Sequence, residues 1–236
     1  MNIVEITRIY DKFNKQIKDI RLLYMSLILQ EEQALYMIQQ SEIINSVYLK
    51  NDKFVFGERF IDDSTFFTEI DVDDCSKQLY DIEGTLNDIR CMLIIRLTAI
   101  YESFFRQIIT IYKTEHNNLK EKRFLAGNPE KRLLEFERLF DLTLNFDTEY
   151  KALNFLFRLR NCIAHNNSII DDEYFKDNSS GIGNISDYRK NSNKYGTIIE
   201  INKKAFISEY DFNELIYLVE LVVGNIYRGL IINFNQ

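Results

Sequence analysis

The chain has 236 residues, 46% of them hydrophobic and 14% aromatic, supplied by 18 Phe and 14 Tyr without any Trp. That is enough for a substantial core without staples, and a single Pro with only 8 Gly leaves room for long helices. A formal charge of -7 argues against a general nucleic-acid coat, though not against an RNA enzyme whose charge is unevenly spread. Cys75, Cys91 and Cys162 stand far apart without metal-binding spacing, so no metal and no cofactor is expected, and free thiols of a reducing cytosol are the simplest account.

Residues 2 to 49 read as one long helix or two consecutive ones, with Ile6, Ile9, Tyr10, Phe13, Ile17, Ile20, Leu23 and Leu27 keeping a three-four rhythm. Met1 to Lys15 carries no signal-peptide core, and a soluble cytoplasmic protein is expected. Asn51-Asp52 breaks the pattern. Lys53 to Gly57 and Arg59-Phe60-Ile61 then predict a short strand or hairpin, followed by an acidic loop through Asp74. Residues 1–80 are read as a helical elaboration packed on a helical core of residues 81–236, in one compact unit overall.

Ser76 to about His116 should form the longest helix. Its centre, Met92 to Phe105, is apolar nearly all round and must be covered on several sides. Within it, Glu102 has Arg106 one turn further on, which predicts an ion pair along the helix. A loop up to Pro129 leads into a short helix, Glu130 to Leu142, and Asp147 or Thr148 caps the next.

In that next helix Tyr150, Leu153, Leu156, Leu159 or Arg160, Ile163 and Ala164 recur at three- and four-residue steps, marking a buried face. Arg160 falls on it. A buried guanidinium is costly unless it is paired or faces a polar cleft, so a partner or a pocket is expected. Asn166-Asn167-Ser168 should end the helix, since these residues cap and turn rather than propagate. Five helical residues advance roughly 7.5 Å and about 140°, so Arg160 and His165 converge only if the end frays. An arginine that neutralises developing charge beside a histidine that moves a proton suits phosphodiester chemistry.

Beyond the motif, Ile169 to Tyr195 is a long polar stretch. Its Gly181 and Gly183 do not make a phosphate loop, because no Lys-Ser/Thr follows and no apolar strand precedes. Gly196 to Ile201 predicts a short strand. Ser208 caps a last helix, Glu209 to Ile232, whose apolar run is interrupted by Glu220, Asn225 and Arg228, so it reads as a buried helix rather than a membrane span. Acids dominate from Glu58 to Asp88, whereas Lys131, Arg132, Arg138, Arg158 and Arg160 gather around the motif as a local basic surface.

The stretch Arg160-Asn161-Cys162-Ile163-Ala164-His165 resembles the motif of the HEPN superfamily, in which an arginine followed by a polar residue precedes a histidine by about four to six positions. The resemblance covers residues 85 to 232. Arg158 satisfies the loosest spacing, but Arg160 is preferred because Asn161 follows it and because Arg158 is expected on a more solvated face. Tyr101-Glu102-Ser103-Phe104 is similar to the aliphatic-Glu-x-aromatic setting of the family's central helix.

The resemblance implies an all-α fold, a HEPN-like bundle of long antiparallel helices with small β-strand and loop insertions. It implies a metal-independent endoribonuclease that directs a ribose 2'-OH onto the adjacent phosphate and leaves a cyclic phosphate. His165 would act as general base or acid, Arg160 would stabilise the charge, and Asn161 would bond the phosphate or hold the histidine. Glu102, Arg158 and Asn166 are the supporting candidates. Implied partners are an RNA substrate, a second copy completing a composite site, and a protein antitoxin or infection trigger, with no membrane. Where members of the family are silenced by nucleotidylation a tyrosine commonly stands two positions after the histidine; here Asn167 does, so that control is not implied. The alternative is a HEPN-like module that binds RNA, a nucleotide or a protein without cutting.

Overall fold

The computed structural model describes residues 2–48, 53–54, 70–71, 82–115, 129–144, 147–170 and 204–235. These are mostly helical, and the fold is all-α. Five helices are described, α1 Ile3–Tyr48, α2 Ile82–Glu115, α3 Pro129–Phe140, α4 Asp147–His165 and α5 Glu209–Phe234. A two-residue antiparallel ladder pairs β1 Lys53–Phe54 with β2 Ile70–Asp71. The strand expected at residues 196–201, the glycine pair Gly181 and Gly183, and the rest of the acidic loop lie outside the described residues.

The chain divides into two compact units, Met1–Leu22 with Ile89–Gln236, and Leu23–Asp88. Ile6, Ile9, Phe13, Ile17 and Ile20 are all buried in the first unit, a seam that helical spacing alone produces. Leu23, expected on the same seam, is exposed, and Tyr24 takes its place because a helix of 3.6 residues per turn needs a four-residue step there. At 46 residues α1 exceeds α2 at 34, so α2 is not the longest helix.

Helix α2 is nonetheless the centre of the first unit. Ile94, Leu97, Tyr101, Phe104 and Ile108 line one flank, Cys91, Leu93, Ile100, Phe105 and Ile109 widen it, and all are buried. Met92, Arg96, Ala99, Arg106 and Thr110 leave one exposed stripe. Aromatic rings join the neighbours to this helix: Phe13 of α1 meets Phe104 at 5.7 Å, Phe136 of α3 meets Phe105 at 4.9 Å, and Phe157 of α4 meets Tyr101 at 5.5 Å between centroids. Edge-to-face contacts of this kind add about 0.5–1.5 kcal/mol each beyond the area they bury.

The pairings fix directions. Glu102 with Arg132, Phe105 with Phe136 and Tyr112 with Phe140 set α3 parallel to α2. Thr7 reaches Tyr227 and Arg21 grips Glu220 through two 2.7 Å hydrogen bonds, so the start of α1 runs antiparallel to α5. Between them Tyr10 stacks on Tyr227 at 4.0 Å, and a Cβ at Gly224 would stand 3.5 Å from the Tyr10 hydroxyl. The long helices α1 and α5 are thus antiparallel, and the short helix α3 runs parallel to α2.

Helix ends follow from local chemistry. Pro129 opens α3, where its missing N–H is no loss. Asp141 adopts φ 51 after α3, and the Leu142 N–H closes back on the Glu137 carbonyl at 2.9 Å. The Asn233 amide of α5 donates to the Phe140 and Asp141 carbonyls, covering that end. Ser208 caps α5 as its sequence position predicts, accepting from the Asp211 N–H at 3.1 Å while its hydroxyl donates to the fully buried Asp211 carboxylate at 2.6 Å. Among the described residues α5 is long and apolar enough to cross a membrane by length and composition, and 50% of that window is buried inside the protein.

Because the Ser208 hydroxyl serves both the helix end and a buried carboxylate, Ser208→Ala is expected to cost about 1–3 kcal/mol, more than an ordinary cap. Ser208→Thr should retain most of the stability. Urea titration of both variants followed by circular dichroism checks this.

Candidate functional site

Helix α4 holds its polar residues between two apolar commitments. Leu153, Leu156, Leu159 and Cys162 are all fully buried, and this three-residue seam turns the opposite side toward α2 and α3. Cys162, not Ile163 or Ala164, carries the seam to its end; Ile163 is half-buried and Ala164 exposed. On another face Asn154, Phe157, Arg158 and Asn161 fall at i, i+3, i+4 and i+7, which is one helical stripe.

That stripe forms one wall of a pocket of about 240 Å³. Arg160, Glu102 of α2, and Pro129 and Arg132 of α3 line it as well. Arg160, Asn161, Arg158 and Glu102 are therefore brought together. The solvated face expected for Arg158 is corrected: it is half-buried and lines this pocket, because it sits one turn before Asn161.

The electrostatics are unequal. Among the described residues of the lining, three guanidinium groups, Arg132, Arg158 and Arg160, stand beside one carboxylate, Glu102, in a chain whose total charge is -7. Glu102 does not pair with Arg106, which is exposed on α2; it accepts from Arg132 Nη1 at 2.7 Å. Parallel packing brings Arg132 directly over it, and side-chain exposures of 18% and 26% make this a partly desolvated pair rather than a surface one. The Arg132 guanidinium also lies 5.9 Å from the centre of the Phe157 ring, a cation–π contact worth about 0.5–1 kcal/mol.

Arg160 donates from Nη1 to the Asn161 side-chain oxygen at 3.0 Å, so the two residues that read as a pair in the sequence are bonded in space. Its Nε is buried and has no hydrogen-bond partner among the described residues. A buried donor left without an acceptor costs on the order of 1–3 kcal/mol, which an anion drawn into the pocket would offset. Guanidinium groups are the side chains best shaped for such an anion, since their parallel N–H pairs match carboxylate and phosphate oxygens.

His165 and Asn166 are not part of the pocket lining. The helix stays regular through His165, so the fraying that would bring Arg160 and His165 together does not occur, and His165 is exposed as the last residue of α4. Asn166 serves the turn: its N–H bonds the Cys162 carbonyl at 2.9 Å and its side-chain amide donates to the Ile169 carbonyl at 2.9 Å. Asn167 and Ser168 take φ 49 and 64, the left-handed conformation that Asn tolerates best among residues with a side chain. Ala205 N–H then bonds the Ser168 carbonyl at 2.7 Å, fastening the turn to the approach of α5.

Sequence reasoning counted Arg132 in the basic surface around the motif without placing it at the site, and it missed Asn154, Phe157 and Pro129 as lining residues. For Asn154 and Phe157 the signal was available, since both stand at helical steps before Asn161. Arg132 and Pro129 come from a separate helix, and only tertiary packing reveals them. Among the described residues no group of three or more His, Cys, Asp and Glu is placed to hold a metal ion. No protein-family model, no curated protein and no solved structure matches the chain.

The pairing of Glu102 can be tested by stability alone. Arg132→Ala is expected to destabilise the protein by about 1–3 kcal/mol, leaving a partly buried carboxylate uncompensated, whereas Arg106→Ala stays within about 0.5 kcal/mol of the parent. Chemical denaturation of the two single variants and of Glu102→Gln/Arg132→Ala together gives the comparison, with the double variant recovering part of the loss.

Proposed function

We propose that the chain is a metal-independent endoribonuclease of HEPN type, in which Arg160, Asn161 and His165 act on an RNA phosphate. The observation that carries this reading is the arginine pocket itself: Arg160 and Asn161, the two residues that open the motif, are hydrogen-bonded to each other in a cleft that Arg132 and Arg158 also line. In the reaction His165 takes the proton of a ribose 2'-OH, the freed oxygen attacks the adjacent phosphorus, and the 5'-oxygen leaves and receives a proton, giving a cyclic phosphate and a 5'-OH. Arg160 neutralises the charge that gathers on the phosphorane oxygens, and Asn161 fixes the orientation of Arg160. Because His165 lies outside the pocket of its own chain, the same reading makes the working unit a homodimer in which two motifs share one cleft. It also makes the protein a cytoplasmic toxin or anti-phage effector, held in check by a protein antitoxin or released by an infection trigger.

A second reading is favoured by one specific observation, the exposure of His165 apart from the arginine pocket. On that reading the module binds RNA, a nucleotide or a protein at its arginines and cuts nothing.

The two separate in one experiment. Purified protein is incubated with total RNA in EDTA, beside His165→Ala and Arg160→Ala, and the new ends are analysed. Cyclic-phosphate ends produced by the parent and reduced at least about 100-fold in both variants are expected, in keeping with the loss of a general acid–base or a charge-stabilising group. Retained RNA binding without new ends, equal in parent and His165→Ala, assigns the binding module instead.

A further inference from the structure

We infer that the solvent face of α5 is a self-association seam, on which two copies of the chain pair antiparallel about a two-fold axis at Leu221. The pairing goes beyond the reading above and does not depend on it, since it uses no residue of the motif or of the arginine pocket.

The face is defined by its neighbours. Glu220, Gly224 and Tyr227 turn toward α1, where they meet Arg21, Tyr10 and Thr7. The residue after each is rotated by about 100° from that contact. These residues, Leu221, Asn225 and Arg228, are half-buried or exposed. On the other flank Leu218 and Val222 are buried. Between the flanks a stripe follows three- and four-residue steps from Tyr210 to Ile232, the spacing of a helix seam. It leaves large side chains in solvent: Tyr210 is 60% exposed, Tyr217 55% and Ile232 60%.

The occupant follows from the order of residues along the stripe, whose spacing is the same from either end. Leu221 stands at the middle. Four residues from it on either side are Tyr217 and Asn225, seven residues away Glu214 and Arg228, and eleven away Tyr210 and Ile232. An antiparallel second copy therefore sets Leu221 against its own counterpart, Tyr210 against the partner's Ile232, and Glu214 against the partner's Arg228, the last two contacts occurring twice by symmetry. Charge fixes the direction, because a parallel pair in register would place Glu214 beside Glu214 and Arg228 beside Arg228. At the remaining position the Tyr217 hydroxyl can accept from the amide of the partner's Asn225; within one chain the Asn225 oxygen already accepts from Arg228 Nη1 at 3.2 Å.

The pair keeps the motifs apart. Ala205 ties the turn after His165 to the approach of α5, and the twelve residues from Glu209 to Leu221 span roughly 18 Å of helix. Antiparallel copies thus hold the two α5 amino-terminal ends roughly 36 Å apart along the axis. This is not the contact in which two motifs would share a cleft, and a chain that makes both contacts assembles beyond a dimer. A seam of one helix is also small beside the roughly 20–30 residues a side of a standard interface, so a reversible dimer is expected.

The test measures the mass of the full-length protein by light scattering over a concentration series. Glu214→Arg and Arg228→Glu each place like charges together twice and are expected to weaken self-association about 10-fold or more. An equimolar mixture of the two makes every charge pair across the seam opposite again and should restore it. Helix content and thermal stability equal to the parent's show that both variants fold. With Cys75→Ser as background and the buried Cys91 and Cys162 left in place, Leu221→Cys should form an intermolecular disulfide under mild oxidation. Ile232→Cys, whose copies lie roughly 33 Å apart along the pair, should not. A parent that stays monomeric up to its solubility limit, a mixture no better than either single variant, or equal crosslinking at positions 221 and 232 overturns the inference. Parent-like association in both single variants also overturns it and assigns self-association to another surface, the shared cleft of the nuclease reading included. No RNA is present, so an inactive protein that pairs through α5 removes the nuclease and keeps the seam, and an active one that does not pair does the reverse.

Discussion

Everything in the first unit is anchored to the burial of α2. A helix with a single apolar stripe can dock against one neighbour, but between Met92 and Thr110 α2 presents buried residues on most of its circumference and leaves one exposed line. It must be surrounded, and the start of α1, α3 and α4 each meet it through an aromatic ring. The high Phe and Tyr content is used here. Large planar side chains can bridge helices whose axes are close to 10 Å apart without the interdigitation that small aliphatic residues require. On the α1–α5 side the Tyr10 hydroxyl approaches Gly224 and its ring stacks on Tyr227.

A consequence of this packing is that charge is trapped beside the core. Tyr101 and Glu102 are neighbours on α2, the first almost fully buried and the second at the edge of the pocket. Once α3 docks parallel to α2, Arg132 lands on Glu102, and once α4 docks through Phe157, Arg158 and Asn161 face the same space. Arg132 cannot move far without disturbing an aromatic contact, since it touches the Phe157 ring that itself packs on Tyr101. The cleft is preorganised: guanidinium groups are held near one another before any anion arrives, at a cost in repulsion that Glu102 partly offsets. Among the described residues of an acidic protein, three arginines are thus gathered in one cleft.

How far the sequence discloses this differs between levels. Periodicity was sufficient for the helices, because α1, α2 and α5 repeat their apolar residues over many turns, and the Ser208 cap could be read from one serine before a strongly apolar run. The motif drew attention to Arg160 and Asn161, which do line the pocket. What could not be read is what depends on tertiary direction. Arg106 is the nearest cation to Glu102 along the chain, but the parallel docking of α3 brings Arg132 closer in a less solvated position, and no local rule anticipates it. Assigning Arg158 to solvent followed from counting faces relative to Arg160; counting from Asn161 instead places it with Asn154 and Phe157.

The end of α4 imposes the last constraint. Fraying would bring the imidazole toward the arginines, but the backbone opposes it, since the Cys162 carbonyl accepts from both the Asn166 and Ser168 N–H groups and Ser168 is tied in turn to Ala205. Opening the turn would break this set of bonds together and release two residues from left-handed conformations held by their surroundings. His165 is thereby kept on the outside of a rigid helix end, accessible and displaced from the pocket. A nuclease built on this arrangement cannot place one phosphate between Arg160 and His165 of the same chain. It needs either a second copy whose motif faces the first, or a strand of RNA long enough to leave one phosphate at the arginines while presenting another at the imidazole. Both solutions use the separation that the helix enforces, and they differ in whether the charge neutralising the reacting phosphate comes from the same chain as the proton acceptor.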